Sequence, residues 1–147
     1  MTIINFYHLT SGSHEKAACQ LLEKCYKSDY KTIVKVSNEE VQESLNKTLW
    51  TFAQKSFIPH GSANDAKPEM QPIYITTTSE NPNNASVLML VGTMDGIYDD
   101  FERVFVIFDG RDDGAMAQAK GVMEKLQTSK NQVSYFQQTK DGSWAKV

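Results

Sequence analysis

Apolar positions along the chain switch repeatedly between a period of two and a period near 3.6. Ile3 to His8 is dominated by β-branched and aromatic residues and predicts a strand. Thr10-Ser11-Gly12-Ser13 ends it. Ser13 is placed to N-cap a helix from His14 to about Lys27, with Glu15 favourable in its first turn. Ala18, Leu21, Leu22 and Cys25 form the apolar stripe of that helix. Lys31 to Val36 predicts a second strand. Ser37-Asn38-Glu39-Glu40 fits a capping box and opens a second helix, whose buried face carries Val41, Leu45 and Leu49.

The second half repeats the alternation. Gly61 to Gln71 is polar and reads as a loop. Pro72 to Thr77 and Ser86 to Gly92 predict two strands joined by an Asn81-Pro82-Asn83-Asn84 turn, adding an antiparallel part. Val87-Leu88-Met89-Leu90-Val91 is apolar throughout, as for a strand covered on both faces. Tyr98 to Phe101 predicts a helical turn and Arg103 to Phe108 another apolar strand. Asp109-Gly110-Arg111-Asp112 leads into a helix to about Gln127, with Ala115, Ala119, Val122, Met123 and Leu126 on its narrow buried side. Gln132 to Gln137 predicts a last strand, and Trp144 stands in a polar tail. Strands alternating with helices argue for an α/β fold. The expected form is a Rossmann-like three-layer sandwich with a mostly parallel, mixed central sheet, and one domain over residues 1–147.

Composition narrows the function. A length of 147 residues supports one domain with a real core. A net charge of -3 gives no basic excess for nucleic-acid binding. No apolar run is long enough for a membrane helix. Met1-Thr2-Ile3-Ile4-Asn5-Phe6-Tyr7 lacks a basic n-region, so a cytoplasmic location is expected. Cys19 and Cys25 are six apart on one helix, a spacing that does not pair them. Cys25 reads as a small core residue and Cys19 as incidental.

Catalytic signatures are scarce. G-x-G-x-x-G, a G-K-[ST] ending and G-x-S-x-G are all absent. His8, His14 and His60 are not spaced as a ligand pair on one helix. One enzyme-class or ligand-binding alternative stands: a nucleotide- or phosphate-binding protein using backbone N–H groups of the Thr10-Ser13 turn, with Asp109 at a strand end. Asp112 and Asp113 are explained as well by helix capping. The expectation is a binding module with no catalysis, no cofactor and no metal. Its most informative stretch is Leu49 to His60, where Trp50, Phe52, Phe57 and Ile58 fall as a helix runs out toward Pro59. Aromatics around a Pro at such a place suit a docking surface, or cap the core.

The chain resembles the chi subunit family of the bacterial DNA polymerase III holoenzyme. The resemblance is carried by Asn5-Phe6-Tyr7, by Leu45 with Leu49-Trp50 and Ser56-Phe57-Ile58-Pro59-His60, by Phe101-Glu102-Arg103-Val104, and by the helix from Asp112 to Lys125. It implies a non-enzymatic adaptor of the replisome that meets DNA only indirectly and touches no membrane. One surface would dock the psi subunit of the clamp loader, at positions matching Trp50, Phe57, Ile58, Pro59 and His60. Another would take the acidic C-terminal tail of single-stranded DNA-binding protein, at Lys120, Met123 and Lys125 on the last helix. There this chain departs from the family's Ala-Arg-x-Arg-(Trp/Tyr)-Lys run and reads Ala119-Lys120-Gly121-Val122-Met123-Glu124. Lys in place of Arg removes a bidentate grip on a carboxylate.

Overall fold

The computed structural model describes residues 2–52, 61–62, 72–78, 80–94, 98–127 and 131–147. Strand β1 spans Ile3–Leu9, helix α1 His14–Lys27, strand β2 Thr32–Val36 and helix α2 Glu39–Phe52. Strands β3 (Gly61–Ser62), β4 (Ile73–Thr76) and β5 (Val87–Val91) follow. After a 3₁₀ turn at Tyr98–Asp100 come β6 (Arg103–Asp109), helix α3 (Asp113–Gln127), β7 (Gln132–Gln138) and β8 (Trp144–Lys146). The expected elements are thus present, with Gly61 and Ser62 paired as a short strand where a loop was expected.

One sheet holds all eight strands in the order β3-β4-β2-β5-β6-β1-β7-β8. Every pairing is parallel except β7 with β8. This corrects the expected antiparallel pair. β4 and β5 do not pair with each other; β2 lies between them and is parallel to both. The local turn reading survives, because the Asn81 side chain accepts from Ala85 N at 2.7 Å and donates to Ala85 O at 3.2 Å. The antiparallel part sits at the other edge, where Gln137 faces Ala145.

The faces follow the pleat, since alternate residues of a strand point to opposite sides. Tyr7, Leu9, Val34, Val36, Ile75, Met89 and Ile107 meet Ala18, Leu22, Leu45 and Leu49 of α1 and α2. Ile4, Phe6, Ile33, Leu88, Leu90, Val106 and Phe108 form the core of the other face, to which α3 contributes Ala119 and half-buried Ala115, Val122, Met123 and Leu126. The result is the expected three-layer sandwich. β5 is buried at all five positions, as its apolar run required.

The helix ends are closed by side chains that satisfy otherwise orphaned N–H groups. Ser13 accepts from Lys16 N at 3.2 Å. At α2 the cap is Asn38, which accepts from Val41 N at 2.9 Å, in place of the expected box headed by Ser37. Asp112 caps α3, accepting from Gly114 N at 2.9 Å and Ala115 N at 3.2 Å.

Two further expectations are corrected. Cys19 is fully buried in the α1 side of the core, not incidental, and its thiol is pushed up to about 12 by burial. Trp144 is not in a loose tail: it belongs to β8 and packs edge-on against Tyr7 at 5.1 Å. Cys19 and Cys25 are both free thiols.

Candidate functional site

In an open α/β sheet ligands gather at the carboxyl ends of the strands, where successive connections leave for opposite faces. Here that point is the adjacent pair β1 and β6. β1 leads into α1 on one face, and β6 leads into α3 on the other. The Thr10-Ser13 turn and Asp109 stand at this crevice, where a bound phosphate would have to sit.

The crevice is filled by the protein's own groups. Gln138, at the end of β7, accepts through Oε1 from Thr10 N at 3.0 Å and from Ser11 N at 3.0 Å. Those are the amides a phosphate would need. Asp109 accepts from Arg111 Nε and N, at 2.8 Å and 2.9 Å. Arg111 then reaches across and donates from Nη2 to Gly12 O at 2.8 Å. The Arg111 side chain and backbone N–H hold the Asp109 carboxyl below its usual range. Beside this bridge a hollow of about 190 Å³ is lined by His14, Thr93, Met94, Asp109, Asp112 and Gln118 among others, and by no Lys or Arg. A phosphate would meet two carboxylates there, with no Lys or Arg to answer it. Among the described residues no three His, Cys, Asp or Glu side chains converge as a metal site.

His8 sits just below the crevice on the α3 face, and its placement is exacting. Its Nδ1 shares a hydrogen bond with the Tyr135 hydroxyl. Its ring lies 5.5 Å from that of Phe108 and 5.8 Å from that of Tyr135, centroid to centroid. Gly110 has no Cβ because a Cβ there would lie 1.7 Å from His8 Nε2. Burial lowers the His8 pKa below the ordinary 6.5, and the nearby Asp109 offsets this only in part. The arrangement is a packed support for the β1 and β6 ends, in which burial disfavours the charged imidazolium.

The surfaces expected for docking lie elsewhere. Trp50, in the last turn of α2, is 55% exposed, so it does not cap the core. Phe57, Ile58, Pro59 and His60 lie outside the described residues, and so does the Phe52 side chain. On α3, Lys120 is exposed and Met123, three residues on, is half-buried. Positions three and four apart are neighbours on a helix, so Lys120 adjoins Met123 and also Glu124. Lys125 is about 140° around the helix from Lys120 at about 100° per residue, so the two cations do not converge. Ala119, next to Lys120, lies in the core at 1% exposure, on the buried side as its sequence predicted. Gly121 has open space around it. What sequence reading missed is Gln138, whose role depends on a contact 127 residues away in the chain.

Matches to known proteins agree with one another. The profile of the family described as DNA polymerase III chi subunit, HolC, matches residues 1–133. A protein of Rickettsia prowazekii named "Probable DNA polymerase III subunit chi" is 36% identical, over 100% of this chain and 93% of its own. The Pseudomonas aeruginosa "DNA polymerase III subunit chi" is 27% identical, over 71% of this chain and 75% of its own.

The His8 environment sets a pH dependence. The folded state disfavours the imidazolium, so the unfolded chain binds more protons below about 6.5 and stability falls as pH drops through that region. Urea unfolding at pH 7.5 and pH 5.5 should show a larger loss for the wild type than for His8→Gln. Equal losses in the two proteins would show that His8 titrates as it does in the unfolded chain.

Proposed function

The chain belongs to the DNA polymerase III chi subunit family, and we propose that it acts as a non-catalytic accessory subunit of that polymerase. In this reading it joins the psi subunit of the clamp loader to the C-terminal tail of single-stranded DNA-binding protein during replication. The observation that carries the reading is Trp50. A large aromatic more than half exposed at the end of a well-packed helix is unusual for a monomer's surface, and Trp is the residue type most enriched among interface hot spots. It precedes Phe57, Ile58, Pro59 and His60 by seven to ten positions in the sequence, and in this proposal those residues complete the psi-binding surface. The filled crevice supports an adaptor over an enzyme, because the turn amides and Asp109 that a phosphate ligand would use are already bonded within the chain.

The tail contact rests on Lys120 beside Met123, with Lys125 contributing charge from a different side of α3. A Lys head is a hydrated point charge, weaker than Arg on a carboxylate. Glu124 at i+4 from Lys120 lowers the local positive potential further. The tail contact is therefore weak and sensitive to salt.

Two substitutions separate the surfaces. Phe57→Ala should weaken psi binding by about 2 kcal/mol or more, with the fold retained, as expected of a hot spot. Loss of folding with psi affinity unchanged in the folded fraction would make Phe57 a core residue instead. Lys120→Glu should abolish binding of a peptide copied from the organism's own single-stranded DNA-binding protein tail and leave psi binding intact. Fluorescence anisotropy reads both; unchanged peptide affinity in Lys120→Glu would remove the tail from α3.

A further inference from the structure

The α1 face of the sheet is not fully covered toward β7 and β8. A hollow of about 300 Å³ opens there, between α1 and the strands β6, β1, β7 and β8. Its apolar wall is an aromatic cluster built around Tyr7. The Tyr7 ring stacks on Phe136 at 5.2 Å and 12°. Phe105 and Trp144 meet it edge-on at 5.7 Å and 5.1 Å. Such a cluster leaves ring faces and edges available to one more aromatic group. The volume is at the small end of the range for small-molecule sites, enough for one or two fused rings.

The polar lining has one sign. Lys24 and Arg103 border the hollow together with the hydroxyl-bearing Ser28 and Tyr30, and no Asp or Glu does, although the chain as a whole carries -3. Neither cation forms an ion pair with a carboxylate among the described residues. Arg103 is steadied instead by the Tyr30 ring, 5.5 Å from its guanidinium carbon. The Cys25 thiol in the wall is pushed up to about 11 by burial, so it adds no negative charge near neutral pH. An apolar slot with two cations lacking carboxylate partners at its border is complementary to a ring that carries an anion.

We propose that this hollow binds a small planar aromatic carboxylate, with its ring against Tyr7, Phe136 and Trp144 and its carboxylate on Arg103 and Lys24. A cationic ligand would be repelled by both border charges. A neutral one would leave the guanidinium and ammonium without a partner. The site is independent of the docking role above: it lies away from Trp50 and Lys120, and Phe136 and Trp144 fall beyond residue 133, where the family match ends.

The probe is 2-naphthoate, followed by the indole N–H resonance of Trp144, which Trp50→Phe assigns because the chain has two Trp. Saturable shifts of Trp144 are expected. Removing a charged hydrogen-bond partner should weaken binding about tenfold or more, so Arg103→Gln and the methyl ester of the probe should each show that loss. Lys24→Gln, a change on the exposed side of α1, should weaken it several-fold and keeps the test valid if Arg103→Gln lowers stability. Added salt should act in the same direction. The proposal is overturned if 2-naphthoate leaves Trp144 unmoved. It is equally overturned if acid and ester bind alike and neither variant matters, since the cluster would then be only an apolar cover for the sheet edge.

Discussion

Strand β1 lies between β6 and β7, parallel to both, so the ends of three strands come together at Leu9, Asp109 and Gln138. Parallel strands bring their polar ends to one place, and those ends must be satisfied by something. In a ligand-binding α/β protein that something is often the ligand. In this chain it is the protein. Gln138 takes two amides of the turn after β1, and Arg111 clamps Asp109 to the carbonyl of Gly12. Helices α1 and α3 both begin within a few residues of this closure and leave it for opposite faces of the sheet.

The closure also explains where function is left to reside. With the crevice filled, the surfaces that remain distinctive are peripheral. They are the exposed Trp50 at the end of α2, the Lys120 side of α3, and the cationic aromatic hollow beside β8. In the proposed reading partners meet the protein over this rim, away from the filled switch point. Below the crevice, His8 and Gly110 interlock so closely that neither position tolerates much change of volume.

Much of this was legible in residue order, and the failures have a common cause. Element types and most boundaries followed from local pattern: the Ser13 cap, the wholly apolar β5 and the small-residue face of α3 all behave as their sequences require. Pairing did not follow. Pro72 to Gly92 reads as a hairpin because its turn chemistry is sound, yet β2, from far earlier in the chain, is inserted between its two strands. Trp144 reads as a tail residue because β8 has only three residues, too few to show alternation. Each error concerns a contact distant in sequence, which periodicity does not encode. The family, by contrast, was legible from Leu49-Trp50 and Ser56-Phe57-Ile58-Pro59-His60, five of which lie outside the described residues.

Calorimetric titration of the protein with ATP, GTP and Mg²⁺ tests most directly whether the crevice is closed by its own side chains. No saturable binding at micromolar concentrations is the predicted result. Saturable micromolar nucleotide binding that disappears in Asp109→Asn would contradict it, since Gln138 and Arg111 would then be holding a ligand site in readiness.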